Sequence, residues 1–562
     1  MAHLGSMEPE PTPPTPFPIR VFAPDAAKVT IIHRSDNGEV SVDAIGESSG
    51  HWSAEIVAVD GDVYWIEVDG SGPLLDPSAR RVVATVDGFR SAVRHRWPTR
   101  PSLGQHVDQP VIYEAHVRGF GGGFDGTADR LDHLVSLGVQ VLELMPVHPF
   151  DPAANYWGYM PLVWGAVHEQ FSRSDEDDDG RDAADQLADL IDAAHERGLE
   201  VWLDVVFNHT GEGDASLPTL SLRGLANRTS YRHHPDGSYI DNSGCGNDID
   251  PADPEIRRLI LEALDRFADL GFDGFRFDLA SLLTRDDGGL VAMISEWAAN
   301  RDIRLIAEPW DMGAYQLGGS QWPENWMQWN DRFRDDVRGF VRGEPGLVSA
   351  MMQRIAGSPD LFSQPAQSLN FITAHDGLTM HDLTMVTSDR HRSWDCGDEL
   401  RTQQLKNYFT MLLLAKGCTM FVMGDECGRT QGGNDNPYSV DSPLTWMDWP
   451  RCSEWSSLNQ YVQQLIGLRN RHIAAPVSFF GATGPVDVGH DSRSLAWRLG
   501  GLVVLANMWW QPVTFTSQQP GDWRVVLSSS QHDPAVGQLE GVSDLTVAAR
   551  SVVVLEFVNG KR

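Results

Sequence analysis

The 562-residue sequence contains no apolar run that could cross a membrane, which would need about 18 consecutive apolar residues. Basic residues are scarce: 44 lysines and arginines stand against 78 acidic residues, and the formal net charge is -34. This charge argues against nucleic acid and anionic membranes as partners, because both bind basic surfaces. It suits a neutral substrate, which needs no charge attraction.

Cysteine is also scarce, and the five cysteines include no Cys-x-x-Cys pair. An odd number without paired spacing predicts reduced thiols in a cytoplasm rather than a disulfide framework. We recognise no secretion signal and expect a cytoplasmic protein. Met1–Ser6 resembles an expression tag, with Met7 as the natural start, and the Pro-rich segment after it is expected to be an extended arm.

The predicted elements divide the chain into three folded parts after the tag and arm at residues 1–17. Short strands separated by Gly-rich turns at residues 18–100 predict an N-terminal β-sandwich. Over residues 101–473 strands alternate with helices, which indicates a parallel sheet with crossover helices. Eight such units predict an α/β fold, a (β/α)8 TIM barrel with loop insertions. Strands return at residues 474–562 and predict a C-terminal antiparallel β-sandwich.

The barrel strands are predicted, in order, at residues 111–117, 139–147, 199–207, 271–280, 303–307, 325–330, 369–374 and 419–423. Helices are predicted at residues 128–137, 182–197, 254–270 and 458–469. Residues 182–197 show the clearest pattern, because their apolar residues recur at the three- and four-residue spacing of an amphipathic helix.

Three acidic residues close three of these strands: Asp278 the fourth, Glu308 the fifth and Asp376 the seventh. In a TIM barrel the carboxyl ends of the strands meet at one mouth, so we expect the three carboxyl groups to converge there. Arg276 lies two residues before Asp278 and therefore on the same face of the strand. A guanidinium is the usual partner of a buried carboxylate.

Three acids at one mouth, with no phosphate loop or metal motif nearby, fit cleavage of a glycosidic bond. One carboxylic acid protonates the leaving oxygen, while a carboxylate attacks or stabilises the oxocarbenium-like centre. Repulsion between the like charges keeps one acid protonated. Position alone leaves open which acid has which task, and a structural ion pair is the alternative for Arg276 and Asp278. We expect no cofactor and no metal.

Several segments carry a family resemblance. The following four resemble, in order, those of the α-amylase superfamily (glycoside hydrolase family 13): Asp204–Thr210, Gly274–Ala280, Ile306–Trp310 and Phe371–Gly377. The following six are similar to its isoamylase and glycogen-debranching branch: Asn155–Tyr159, Arg223–Tyr231, Gly244–Asn247, Gly424–Gln431, Asn434–Tyr438 and Trp446–Trp449. The resemblance extends over residues 18–562, and the N-terminal sandwich looks like an isoamylase-type carbohydrate-binding module.

The resemblance implies a role for each site residue in a retaining mechanism. Asp278 is expected to be the nucleophile, Glu308 the general acid/base and Asp376 the residue that stabilises the transition state. Arg276 is expected to orient Asp278. The other expected substrate-binding residues are Tyr156, which would stack beneath the sugar ring, Asp204, which would support the site from behind, and His209, His375 and Trp310.

The activity that the resemblance implies is hydrolysis of α-1,6 branch linkages in glycogen- or amylopectin-type α-glucans. An α-1,4-acting amylase or an α-glucan transglycosidase on the same barrel is the alternative. A non-catalytic glucan-binding protein is an alternative of another class, against which the three intact acids argue. The short segment at about residues 211–250 predicts an open groove that favours short branches.

Two features have a second interpretation. The acidic run Asp175–Asp179 is expected to be a solvated loop, since it lacks the alternating ligands of a calcium site. Tryptophans near the predicted mouth either line sugar subsites or pack in the core. These tryptophans are Trp157, Trp310, Trp322, Trp326 and Trp329.

Overall fold

The computed structural model describes residues 13–172, 181–516, 522–539 and 544–559. Met1–Ser6 and Asp175–Asp179, two segments singled out in the sequence, lie outside these ranges. Within them, no helix is both long enough and apolar enough to cross a membrane.

The N-terminal part is a β-sandwich, as predicted. Its strands are β1 (Thr15–Phe22), β2 (Val29–Ser35), β3 (Gly38–Asp43), β4 (Ile45–Gly46), β5 (His51–Ala58), β6 (Val63–Val68), β7 (Ser71–Leu74), β8 (Arg81–Thr85) and β9 (Gly88–Ala92). One sheet has the order β1-β5-β4, and the other contains β8-β9-β6-β2-β3, with β7 paired to β6. Strand β1 begins before the predicted boundary and includes Pro16 and Pro18, which an edge strand tolerates.

A closed barrel of eight parallel strands forms the centre of the molecule. The strands of this part are β10 (Val111–Ala115), β11 (Val141–Leu144), the short β12 (Val167–His168) outside the barrel, β13 (Glu200–Val205), β14 (Gly274–Phe277), β15 (Arg304–Ala307), β16 (Trp326–Asn330), β17 (Ser368–Phe371) and β18 (Cys418–Val422). All eight barrel strands overlap the predicted ones, and the predicted (β/α)8 fold is confirmed. Trp202, Trp329 and Met420 are among the side chains that fill the barrel interior.

Helices surround the barrel. They are α1 (Val117–Gly121), α2 (Phe124–Ala128), α3 (Leu131–Leu137), α4 (Ala183–His195), α5 (Leu222–Ser230), α6 (Pro254–Asp269), α7 (Gly289–Ala299), α8 (Asp331–Arg342), α9 (Val348–Ile355), α10 (Asp398–Leu413), α11 (Trp449–Glu454) and α12 (Ser456–His472). Asp182 caps α4 by accepting hydrogen bonds from the backbone of Ala184 and Asp185. The buried face of α4 includes Leu187 and Ile191, in agreement with the predicted amphipathic pattern.

Two insertions of the barrel pack onto the N-terminal sandwich. Strand β12 pairs in parallel with β8, and Leu225 of α5 lies in the apolar core of the sandwich. Arg266 of α6 donates hydrogen bonds to the carbonyls of Ser78 and Ala79, at 2.8 and 3.0 Å. These contacts attach the sandwich firmly to the barrel.

The C-terminal part is the predicted antiparallel β-sandwich. Its strands are β19 (Val477–Phe480), β20 (Ser494–Leu499), β21 (Leu502–Asn507), β22 (Val513–Thr516), β23 (Asp522–Ser528), β24 (Gly537–Leu539), β25 (Asp544–Val547) and β26 (Ser551–Asn559). The larger sheet has the order β19-β20-β21-β26-β23-β24, and β22 pairs with β25. Trp497 of β20 is buried in the same apolar core as the barrel helices.

The prediction of five reduced cysteines is wrong for two of them. Cys427 and Cys452 form a disulfide, with their Cα atoms 4.4 Å apart. Cys427 follows β18, while Cys452 lies in α11, so the fold brings together two residues that no sequence spacing pairs. Cys245, Cys396 and Cys418 are thiols.

Candidate active site

A cleft of 760 Å³ opens at the carboxyl ends of the barrel strands. Asp278, Glu308 and Asp376 all line it, as their positions after β14, β15 and β17 predicted. A second cavity of 620 Å³ adjoins the first, and Trp157 and Asp376 line both. Of the three acids, Asp376 lies where the two cavities meet, whereas Asp278 and Glu308 line the first cavity alone.

The Arg276 guanidinium bonds two of the three acids, Asp278 and Glu308. Its Nη1 donates to Asp278 Oδ1 at 3.1 Å, and its Nη2 donates to Glu308 Oε2 at 2.8 Å. Nη1 also bonds both carboxylate oxygens of Asp204, at 3.0 and 2.9 Å, behind the cleft. The ring of Trp329 lies 4.3 Å from the guanidinium. One positive charge thus faces three carboxyl groups, a surplus that favours retention of a proton on one of them.

The geometry around Glu308 identifies the acid that keeps this proton. Burial raises the pKa of Glu308 to about 8, and the charge of Asp278 adds to the effect while Arg276 opposes it. Glu308 Oε2 accepts hydrogen bonds from Arg276 and from the backbone N–H of Leu279, at 3.0 Å. Leu279 adopts a left-handed conformation, with φ of 40°, which is strained for leucine and aims its N–H at Glu308. Oε1 is the atom left to carry the proton.

Asp278 and Asp376 differ from Glu308 in their partners. Asp278 Oδ2 accepts a hydrogen bond from Asn208 Nδ2 at 2.8 Å, which, with Arg276, fixes the orientation of the carboxylate. Burial alone would raise the pKa of Asp376, but the nearby charges of His375 and Arg334 outweigh burial and lower it. Asn208 was not among the predicted site residues, although it lies within one of the matching segments.

Glu114 and Tyr159 are two further residues that the sequence analysis missed. Glu114 Oε1 lies 2.8 Å from His375 Nδ1. Burial lowers the pKa of His375, but the Glu114 carboxylate raises it more strongly, to about 9, so the imidazole is protonated at neutral pH. The ring of Tyr159 stacks on His375, and its hydroxyl donates to Asp204 Oδ2 at 2.5 Å. Tyr159 and His375 both line the cleft.

Tyr156, which was predicted to stack beneath the sugar ring, is not among the residues that line the described cleft. It is 4% exposed, its ring packs on His116 with 4.0 Å between centroids, and it lies in one apolar cluster with the cleft-lining residues Trp157 and Tyr159. Tyr159 lies in the cleft instead. Both tyrosines belong to the segment Asn155–Tyr159, so its sequence alone could not distinguish them.

The remaining predicted residues fall into two groups. His209 and Trp310 line the cleft, and His209 Nε2 lies 2.7 Å from the carbonyl of Tyr159. Asp204 is buried behind it. Among the tryptophans with two interpretations, Trp157, Trp310 and Trp329 line the cleft, whereas Trp322 and Trp326 pack on each other in the core.

Comparison with known proteins agrees with this geometry. The family model "Alpha amylase, catalytic domain" matches residues 84–218. A "Glycogen operon protein GlgX homolog" of Mycobacterium tuberculosis is 34% identical over 528 residues, covering 83% of this chain and 72% of the relative. "Isoamylase SU1, chloroplastic" of Zea mays is 35% identical over 435 residues, covering 64% of this chain and 55% of the relative.

Among solved structures, a pullulanase from Anoxybacillus sp. LM18-11 complexed with maltotetraose superposes with a TM-score of 0.82. The superposition covers 97% of this chain and 87% of the pullulanase, at 24% identity, and shows the shared fold. The identity to the GlgX homologue and the share of its length that is covered decide the family. The chain belongs to the α-amylase family, in the branch of isoamylases and glycogen-debranching enzymes.

Proposed function

We propose that the protein is a retaining glycoside hydrolase that cleaves α-1,6 branch linkages of glycogen- or amylopectin-type α-glucans. The observation that carries the proposal is the bonding of Asp278 and Glu308 to the two Nη atoms of Arg276 at the floor of the cleft. One guanidinium can bond both carboxyls only if they stand close together. Retaining enzymes need such closeness, at roughly 5 Å, whereas inverting enzymes need a wider gap for water.

In the proposed mechanism, protonated Glu308 gives its proton to the glycosidic oxygen as the bond to the anomeric carbon breaks. Asp278 attacks that carbon from the other face and forms a glycosyl ester. Water then attacks the same carbon, Glu308 takes a proton from the water, and Asp278 leaves as a carboxylate. Asp376, whose pKa is lowered, supplies negative charge near the oxocarbenium-like transition state.

The sugar in the cleavage subsite is held by the residues around the acids. Tyr159 takes the stacking role that the sequence assigned to Tyr156. His375 donates a hydrogen bond to a sugar hydroxyl, and Trp310 borders an outer subsite. His209, whose two ring nitrogens face Asn208 Oδ1 and the carbonyl of Tyr159, borders the cleavage subsite and holds Tyr159 in place. Asp204 holds Arg276 and Tyr159 in place from behind.

The two lobes of the groove support a branched substrate. At an α-1,6 branch point two glucan chains meet, and the lobes of 760 and 620 Å³ meet at Asp376 and Trp157. We propose that the short segment between β13 and α6 leaves this groove open and that the enzyme therefore prefers short branches. The names of the similar proteins, isoamylase and pullulanase, favour the same linkage.

We also propose a cytoplasmic location, in keeping with a relative named after a glycogen operon. The disulfide between Cys427 and Cys452 is the observation against it, because disulfides are rare in reducing compartments. Blocking thiols at cell lysis and counting them by mass spectrometry tests this point. Five blocked cysteines support the cytoplasm, and three contradict it.

The linkage is tested with amylopectin, pullulan and linear amylose as substrates. Debranching frees linear chains, so we expect iodine colour to deepen on amylopectin while amylose stays intact. Early bleaching of both would indicate an α-1,4-acting amylase. Transfer of glucosyl units without release of reducing ends would indicate a transglycosidase, and either result would overturn the proposal.

A further inference from the structure

Trp510 differs from the other tryptophans of the described chain because it is 54% exposed, whereas they are buried or half-buried. It lies in the turn between β21 and β22 of the C-terminal sandwich. An exposed indole leaves a large apolar face in water, which is unfavourable for an isolated monomer. Its exposed ring is therefore available for contact with a ligand.

The turn that carries Trp510 is firmly held. The buried side chain of Asn507 accepts a hydrogen bond from the backbone N–H of Trp509 at 3.0 Å, and it donates to the carbonyl of Gln511 at 2.9 Å. The backbone N–H of Arg550 donates to the carbonyl of Trp509 at 2.9 Å. The exposure of Trp510 is thus built into an anchored turn.

The rings are oriented as well as anchored. Trp509 and Trp510 stack with 4.1 Å between centroids and an interplanar angle of 18°. The Arg493 guanidinium lies 4.9 and 5.3 Å from the two rings, and Arg493 Nε donates to the carbonyl of Gly343 at 2.6 Å. The stack covers one face of Trp510 and holds its ring in a fixed orientation, while 54% of the residue remains exposed.

Helix α8 connects this surface to the catalytic cleft. Its last residue, Arg342, accepts a backbone hydrogen bond from Arg550 Nη1 at 2.7 Å, and its first residue, Asp331, lines the cleft. Twelve helical residues span about 18 Å. The tryptophan surface therefore lies outside the cleft but within reach of a glucan polymer that occupies it.

We propose that Trp509 and Trp510 form a second binding site for α-glucan, which holds a chain of the polymeric substrate away from the cleft. The C–H face of a glucose ring stacks on an indole, and the exposed polar side chains of Gln511 and Asp491 can bond its hydroxyls. The inference rests on the α-glucan substrate proposed above.

A second copy of the chain is a poorer occupant. A stable interface buries about 800 Å² on each partner, whereas a half-exposed indole offers only about 100 Å². The residues beside Trp510 that remain exposed are mostly polar, so the surface lacks the apolar core of an interface. A sugar ring matches the size of the exposed face.

The test compares Trp510→Ala, Trp510→Tyr and a control, Val86→Ala, which removes a fully exposed apolar side chain from the N-terminal sandwich. For Trp510→Ala we expect KM for amylopectin to rise about fivefold through loss of one stacked ring. We expect kcat and the KM for a short branched maltooligosaccharide to stay unchanged. Trp510→Tyr should recover most of the affinity, and Val86→Ala should behave as the unaltered protein.

An unchanged KM for amylopectin in Trp510→Ala overturns the inference. An equal rise in KM for amylopectin and for the short branched maltooligosaccharide also overturns it. A drop in sedimentation coefficient on substitution identifies a second copy as the occupant and overturns it too. Migration of the Glu308→Gln protein in amylopectin-containing gels, with and without Trp510→Ala, measures binding without turnover. If the unaltered protein cleaves no α-glucan, the proposed function fails, while this gel comparison still tests the surface.

Discussion

The two ends of strand β14 allow a structural aspartate to be compared with the proposed nucleophile. Before the strand, Asp273 is fully buried and accepts hydrogen bonds from the backbone of Leu103 and Val201, at 2.7 and 2.9 Å. His195 Nε2 lies 2.8 Å from Oδ2, the oxygen that also accepts from Val201. After the strand, Asp278 faces the cleft. The first carboxylate has all its bonds within the fold, whereas the second can reach a substrate.

Two buried arginines show the same difference between the two ends of the barrel. Near the amino ends of the strands, Arg469 donates to the backbone carbonyls of Gln109, Leu413 and Ala415, at 2.8 to 3.1 Å, and burial lowers its pKa to about 10. At the other end, burial also acts on Arg276, but the charges of Asp204 and Glu308 prevail and raise its pKa well above the usual value. Arg469, which bonds only neutral carbonyls, therefore makes a structural contact. Arg276 faces more carboxylates than its single charge can neutralise, and such a surplus favours proton transfer.

Matched substitutions of one glutamate at each end of the barrel should give the largest difference in activity. Glu308→Gln removes the proposed proton donor, so we expect turnover to fall by about 10² or more while glucan binding persists. Glu200→Gln, at the opposite end, changes a buried glutamate that bonds Trp202 Nε1 and His106. Its activity per folded molecule should stay normal. Normal turnover in Glu308→Gln, measured as reducing ends released from amylopectin, would contradict the assigned role.

Replacing the structural aspartate tests the other side of the comparison. Asp273→Asn places an amide NH2 group, which cannot accept hydrogen bonds, where several donors point at the carboxylate. We expect the free energy of unfolding to fall by about 2 kcal/mol. Chemical denaturation measures this loss, with Asp278→Asn as the matched control. The control should lose activity but little stability. A variant at Asp273 that keeps full stability and loses turnover would break the distinction.

Glu114→Gln should have a smaller effect. Without the carboxylate, the pKa of His375 falls from about 9, and the imidazole no longer carries a full charge at neutral pH. We expect kcat/KM to fall about tenfold at pH 7 and to recover partly at lower pH, where His375 is protonated again. A loss of kcat/KM that is equal at every pH would assign Glu114 a purely structural role.

The pH dependence should follow Glu308. Because burial raises its pKa to about 8, kcat/KM should decline as pH rises through about 8. The same raised pKa means that the fold favours the protonated form, so the contribution of Glu308 to stability is lost as pH rises from about 4.3 towards 8.

Thermal denaturation at pH 5 and pH 8 checks the sign of this linkage. Glutamine cannot ionise, so Glu308→Gln should lose less stability than the unaltered protein between the two values. The effect should be a few degrees, the smallest of those predicted here. An equal loss in the two proteins would show that Glu308 is already ionised at pH 5 in the folded protein.

The sequence predicted the elements whose signal is local. The barrel strands are continuous apolar runs, and Asp278, Glu308 and Asp376 each follow one of them. The rule that functional side chains lie at the carboxyl ends of TIM-barrel strands was therefore sufficient to predict where the three acids lie. Glu114 was missed because its partner His375 is 261 residues away, and only closure of the barrel brings the two together.

Other features depend on details of the chain path that no spacing reveals. Tyr156 and Tyr159 share one segment, with a turn at Gly158 (φ of 95°) between them, and only Tyr159 lines the described cleft. Cys427 and Cys452 meet because α11 packs against the turn after β18. The left-handed conformation of Leu279 has no signal in its sequence, since glycine would be the expected residue there.

The central claim is that Asp278 is the nucleophile beside a protonated Glu308. Its most direct test is incubation of Glu308→Gln with an α-glucosyl fluoride, whose leaving group needs no acid, followed by peptide mass spectrometry. The account predicts that a glucosyl ester accumulates on the peptide that contains Asp278, because the base for its hydrolysis is missing. A protein that carries no sugar, or carries it on Asp376 or Asp204, would contradict the account.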